Sequence, residues 1–259
     1  MILTNDNYYS SEANCEYMSV SQYKQFMKCE AMAMAQIRGE YVTPKTTALL
    51  VGSYVDSWFE GTLGKFHEEN PQVFKKNGAL KKDYLQAAEI IDRVQRDALF
   101  MDYMGGKKQT IKTAELFGCK WKIKIDSYHA GGKIVDLKVM RSMERIMGKS
   151  FVEHWGYDLQ MAVYAAIEGN DLDTYLAVVT KETPSDMEII EIPKWRREEV
   201  LSDVAKNMPR ILAVKTGKLE PERCGVCEYC RLTKKLTAPI DFELVGLSNA
   251  ERKAIFGEL

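Results

Sequence analysis

Several features that would place a chain in an extreme class are missing from this sequence. No apolar run approaches the ~18 residues needed to cross a bilayer. The opening stretch MILTNDNYYSSEANCEYMSV has neither the basic start nor the apolar core of a secretory signal. The expectations are therefore a cytoplasmic setting and no membrane partner. Charge excess is almost nil: 36 Lys and Arg against 37 Asp and Glu leave a formal net charge of −1. That excludes a polycation that binds nucleic acid through bulk charge, while leaving room for a local basic groove. There is no internal repeat and no low-complexity linker, and the short length without a G-x-x-x-x-G-K-[ST] loop excludes a self-contained helicase–nuclease.

What remains is ordinary globular material: 259 residues, 46% hydrophobic and 28% charged. Apolar spacing predicts a Ser-capped helix through SVSQYKQFMKCEAMAMAQIRG closed by Gly39, a second in TTALLVGSYVDSWFEG and a longer third in LKKDYLQAAEIIDRVQRDALF. The period then changes to that of strands in KQTIKTAELFG, CKWKIKIDSYHA and KIVDLKVM. Helix returns in GYDLQMAVYAAIEGN, two strands follow in DTYLAVVTKE and DMEIIEIPK, and a helix runs from about Trp195 to Lys215. A short helix is expected after Ser248. The reading is one α/β domain: a mainly helical part over residues 1–105, a core over 106–195, and a C-terminal helix and cysteine-bearing appendix over 196–259.

The segment WKIKIDSYHAGGKIVDLKVMRS, Trp121 to Ser142, reads as two strands about a Gly131-Gly132 turn. Asp136 and Lys138 are two apart and share a strand face. Asp126, on the preceding strand, can meet Asp136 across the turn. Two close carboxylates repel, and a hard divalent cation such as Mg²⁺ relieves that conflict through oxygen ligands. With a lysine alongside, these are the parts of a phosphodiester-hydrolysing site.

On these residues, IKIDSYHAGGKIVDLK resembles the core of the PD-(D/E)XK nuclease superfamily. The resemblance implies a restriction-endonuclease-like fold, a central mixed β-sheet flanked by helices. It implies a metal, Mg²⁺ or Mn²⁺, on Asp126, Asp136 and the Leu137 backbone carbonyl, with Lys138 activating water or stabilising charge. Glu115 in TAELFG matches the upstream acidic residue of the exonuclease branch. Gln160 and Tyr164 in QMAVY, one helical turn apart, resemble the Q-x-x-x-Y motif of RecB-like nucleases. LLVGSYVDSWFEG is similar to the G-x-x-x-H segment of RecE-like exonucleases, with Asp56 where that group has histidine and thus a metal ligand by position. His129 and His154 read as surface or packing residues.

Three thiols spaced C-x2-C-x2-C, Cys224, Cys227 and Cys230, suit Zn²⁺ or an iron–sulfur cluster. A fourth ligand is required, and Cys29 is the first candidate, with Cys15 next. Similarity to cluster-bearing RecB-like and AddB-like nucleases supports a 4Fe-4S cluster ahead of Zn²⁺, although the spacing departs from theirs; free thiols are the alternative. Cys119 reads as a core residue. The basic stretches RLTKKL, KKDY and MGGKKQT each read as solvated surface, and as a set could line a DNA groove. The expectation is a metal-dependent exonuclease acting on linear duplex DNA in phage or prophage recombination, with a single-strand annealing protein as partner and a homo-oligomer as a further option. The alternatives are a non-catalytic DNA-binding module that keeps the fold, or a CRISPR or repair nuclease of another polarity.

Overall fold

A computed structural model describes the chain apart from Lys45, Asn170, Thr237 and residues 257–259. In chain order the helices are α1 (Ser11–Glu16), α2 (Val20–Lys28), α3 (Glu30–Ile37), α4 (Thr47–Phe59), α5 (Leu63–Glu69), α6 (Lys82–Val94), α7 (Ala98–Tyr103), α8 (Phe151–Trp155), α9 (Tyr157–Glu168), α10 (Lys194–Lys215), α11 (Glu228–Leu232) and α12 (Asn249–Phe256). The strands are β1 (Thr110–Leu116), β2 (Cys119–Ile125), β3 (Ser127–His129), β4 (Lys133–Met140), β5 (Asp173–Thr180) and β6 (Met187–Glu191). The chain forms two compact units, one of residues 1–43, 115–121 and 203–259, the other of residues 44–114 and 122–202.

The second unit is built on a four-stranded mixed sheet in the order β3-β4-β5-β6. β3 pairs antiparallel with β4, β4 parallel with β5, and β5 antiparallel with β6. The expected turn joins β3 to β4, with Gly131 at φ 70°, which favours glycine. A parallel β4–β5 pair needs a crossover, and α8 and α9 supply it. α8 begins with a full capping box between Ser150 and Glu153, and α9 lies between glycines at positive φ, Gly156 and Gly169. β4 is covered on both faces. Val135 and Leu137 enter the main core with Val51, Tyr54 and Val55 of α4 and Ile90, Ile91 and Val94 of α6. By alternation Asp136 and Lys138 turn to the opposite face, where Gln160 of α9 reaches Asp136.

In the first unit Trp121 is fully buried, donates its indole N–H to the Leu116 carbonyl at 3.0 Å and lies 6.4 Å from the Tyr23 ring of α2. Lys215, at the end of α10, donates to the carbonyls of Asn14 and Tyr17 and to the Gln22 amide oxygen at 2.8–3.0 Å.

Two expected helices are each divided. The first breaks at Cys29, which is extended at φ −167°, ψ 107°. The Ala31 amide then finds the Glu222 carbonyl at 3.0 Å instead of a partner in its own helix. The long third helix ends at Val94 and restarts at Ala98, because Asp97 caps a new helix by accepting from the Phe100 amide at 2.9 Å.

Candidate active site and cysteine cluster

Asp126 stands at a bend between β2 and β3. The register pairs Ser127 with Val135, so Asp126 comes opposite Asp136, one position further along. The Leu137 amide donates to Asp126 Oδ2 at 2.9 Å, fixing the carboxylate against β4. Asp136 is 2% exposed and forms an ion pair with Lys138. Gln160 donates from Nε2 to Asp136 Oδ1 at 2.6 Å. Tyr164 donates its hydroxyl to the Lys124 carbonyl at 3.1 Å and so holds the end of β2 that leads to Asp126.

The electrostatics of this group are those of crowded acid. Burial first, then the charges of Asp136 and Asp56, push Asp126 well above the usual carboxylate range, against the opposing pull of Lys138. Asp56 on α4 is raised to about 7, chiefly by burial, with Lys138 opposing and Asp136 and Glu60 adding to the rise. Burial acts to lower Lys138, but Asp136 and Asp126 outweigh it and raise the amine above its ordinary value. Asp126, Asp136 and Asp56 lie within electrostatic reach of one another, with Lys138 paired to Asp136 and with Lys124 and Lys108 acting on Asp56 and Asp126. Such carboxylates form a hard-oxygen donor set, and a divalent cation would remove their mutual repulsion. The residues present fit such an ion.

Three neighbours went unnoticed in the sequence. Tyr157 at the start of α9 lies under Lys138, whose Nζ is 4.9 Å from the ring centroid. Its positions relative to Gln160 and Tyr164, i, i+3 and i+7, were the available signal. Gln109 donates from Nε2 to Asp126 Oδ1 at 3.3 Å while holding φ at 48°. Lys108, read as solvated, has its amine buried; burial lowers its proton affinity and Asp126 acts against that. Glu115 is not among the groups gathered here. It is exposed on β1 in the first unit, and its charge acts on Lys120. His129 is a packing residue, with Nε2 2.9 Å from the Tyr103 carbonyl.

In the first unit the four expected thiols converge: the sulfurs of Cys29, Cys224, Cys227 and Cys230 lie within 4.8 Å of one another. Cys29 and Cys230 sulfurs are 3.6 Å apart, and those of Cys224 and Cys230 3.9 Å. Backbone amides point at them, from Cys224 to Cys29, Cys227 to Cys224 and Cys230 to Cys227. Burial alone would raise Cys224, but amides of Cys227 and Val226 outweigh it and bring the thiol down to about 7. Cys227 is pushed up to about 12, by burial first and then by its thiol neighbours.

Residues 19–233 match a family model described as a PDDEXK-like domain of unknown function (DUF3799). Among solved structures, a crystal structure from Eubacterium rectale named "Putative exonuclease" is 48% identical, covers 95% of this chain and 99% of its own, and superposes with a TM-score of 0.91. The crystal structure of SSO0001, 12% identical over 83% of this chain and 96% of its own, reaches a TM-score of only 0.32, too low to carry an argument. No curated protein matches the chain. The bend at Asp126, the buried Asp136–Lys138 strand and the match over residues 19–233 agree: the chain belongs to the PDDEXK-like domain family.

Proposed function

We propose that the protein is a metal-dependent deoxyribonuclease that hydrolyses phosphodiester bonds, acting as an exonuclease on linear duplex DNA. The observation that carries the reading is the meeting of Asp126, Asp136 and Lys138 at one buried point, with Asp56 within electrostatic reach. Similarity to the Eubacterium rectale protein supports the exonuclease assignment. Mg²⁺ or Mn²⁺ would be held by Asp126, Asp136 and the Leu137 carbonyl, with Asp56 as a further carboxylate. When bound, the ion supplies Lewis-acid polarisation of the phosphate. The chain's own residues do the rest. Lys138, kept protonated by its carboxylate neighbours, orients the attacking water and offsets charge on the phosphate. Gln160 fixes the Asp136 rotamer, and Tyr164 fixes the approach of β2. A setting in phage or prophage recombination beside a single-strand annealing protein belongs to the same proposal.

The four thiols complete a structural metal site. Zn–S bonds of about 2.3 Å place the corners of a tetrahedron about 3.8 Å apart, and two of the sulfur pairs stand at 3.6 and 3.9 Å. We therefore favour a single Zn²⁺ over the 4Fe-4S cluster first expected.

The test is digestion of end-labelled linear duplex, circular duplex and single-stranded DNA with Mg²⁺, wild type beside Asp136→Ala and Lys138→Ala. Linear duplex alone should be degraded, with each variant slower by at least ~100-fold. Cleaved circles would redirect the reading to an endonuclease. A wild type that binds DNA and never cuts it would make the protein a binding module.

A further inference from the structure

Next to the carboxylates, two consecutive side chains have hydrogen-bonding atoms that are buried and unused. Lys108 Nζ is shielded from solvent and has no hydrogen-bond partner, and the same holds for Gln109 Oε1. The Lys108 amine lies 5.7 Å from the Phe59 ring centroid and feels the charge of Asp126 without a hydrogen bond to it, and Phe59 lies one helical turn beyond Asp56 on α4. The Gln109 amide is oriented by its bond to Asp126, which leaves its carbonyl oxygen the free end.

The segment carrying them is firmly held. Lys107 exchanges both backbone hydrogen bonds with Tyr128 at 2.9 Å. The Gly106 amide donates to Ser127 Oγ, which in turn donates to the Tyr103 carbonyl. Gln109 follows at φ 48°, a conformation costly for a residue with a Cβ. A buried cation without an acceptor is also costly. Anchored backbone, strained turn, orphan donor and orphan acceptor all occur within four residues beside Asp126. An anionic oxygen would satisfy the first orphan and a water the second.

We infer that Lys108 and Gln109 form the substrate-side wall of the site, Lys108 binding a non-bridging oxygen of the phosphodiester and Gln109 accepting a hydrogen bond from the attacking water. This rests on the nuclease reading above and adds to it a second cation, drawn from the segment before β1 rather than from β4.

The experiment compares wild type, Lys108→Met and Lys108→Arg. The probe is a fluorescein-labelled 20-base-pair duplex, read by anisotropy in Ca²⁺ over a salt series, with Mn²⁺ affinity by electron paramagnetic resonance and thermal unfolding alongside. Lys108→Met should weaken duplex binding about 10-fold and reduce the salt slope by about 1. Its Mn²⁺ affinity should be unchanged or tighter, and its melting temperature no lower than wild type, since an unpaired buried charge is gone. Lys108→Arg should recover most of the binding. Unchanged duplex affinity and salt slope in Lys108→Met would overturn the inference, as would a loss of binding accompanied by lower melting temperature and weaker Mn²⁺ binding in both variants. A wild type that binds no duplex at any salt would overturn the nuclease reading itself, and this inference with it.

Discussion

Asp136 carries two duties at once: it neutralises Lys138 and accepts from Gln160, and both partners approach from its own side of the sheet. A hydrogen bond that orients a metal-binding carboxylate is worth 10–100-fold in affinity or activity. Gln160→Leu should therefore lower DNA hydrolysis by about 10-fold or more while leaving the fold intact by circular dichroism. Asp126 is in the opposite condition, crowded by like charge and taken out of water. Asp126→Asn removes that charge at nearly constant shape, its Oδ1 still accepting from the Leu137 amide and its new N–H₂ facing the Gln109 amide, which turns over to accept through Oε1. In metal-stripped protein it should raise the melting temperature by about 2–4 °C, a gain on the order of 1 kcal/mol for a chain of this size, and it should abolish any further rise on adding Mg²⁺. Equal melting temperatures of wild type and variant, with and without Mg²⁺, would show that no ion sits there.

At the scale of elements, the division of one expected helix into α2 and α3 places the Cys29 thiol beside Cys230. A continuous helix through residue 29 would have left no such kink. Cys29→Ser or prolonged chelation should release one equivalent of Zn²⁺, by elemental analysis, and lower the melting temperature; a yellow-brown protein with sulfur-to-iron absorbance would instead select the cluster. Gly106 is a second constraint. A Cβ there would meet the His129 ring and Ser127 Oγ of β3 at 2.7–2.8 Å. Gly106→Ala should cost roughly 1–3 kcal/mol by urea unfolding and shift the segment bearing Lys108 and Gln109. The β2–β4 segment was legible in sequence because strand alternation and a Gly-Gly turn dictate which side chains share a face. The Cys29 kink was not, since residues 19–39 have the apolar spacing of one helix and the break is set by a partner, Glu222, almost two hundred positions away. Lys108 was misread for a related reason: a lysine in a basic run looks solvated, and its amine is instead shielded near Phe59, about fifty positions earlier in the chain. Glu115 had the right chemistry for the site but is an exposed position of β1, between half-buried Ala114 and Leu116.

For the molecule as a whole, Lys215 is one route by which pH acts on stability. Burial lowers its proton affinity to about 8, against the opposing pull of Cys119 and Cys15 and of the Asn14, Tyr17 and Gln22 oxygens to which the ammonium donates. Below pH 8 the amine is charged whether the chain is folded or not. Between pH 8 and the ordinary lysine value near 10.4, the unfolded chain binds a proton that the folded chain has released. Over that window this group makes folding more favourable as pH rises, by at most about 1.4 kcal/mol per unit. Lys215→Met lacks the effect. The stability advantage of wild type over the variant should therefore grow between pH 7.5 and 9.5 in urea titrations, and a constant difference would contradict a depressed amine.

The ordering of the thiols along the chain has a consequence for biosynthesis. Cys29 leaves the ribosome early, whereas its three companions, Cys224, Cys227 and Cys230, are separated from it by almost the whole of the remaining translation. The proposed ion cannot find all four thiols until Cys230 has been made, and any product truncated before residue 224 keeps Cys29 without its three companions.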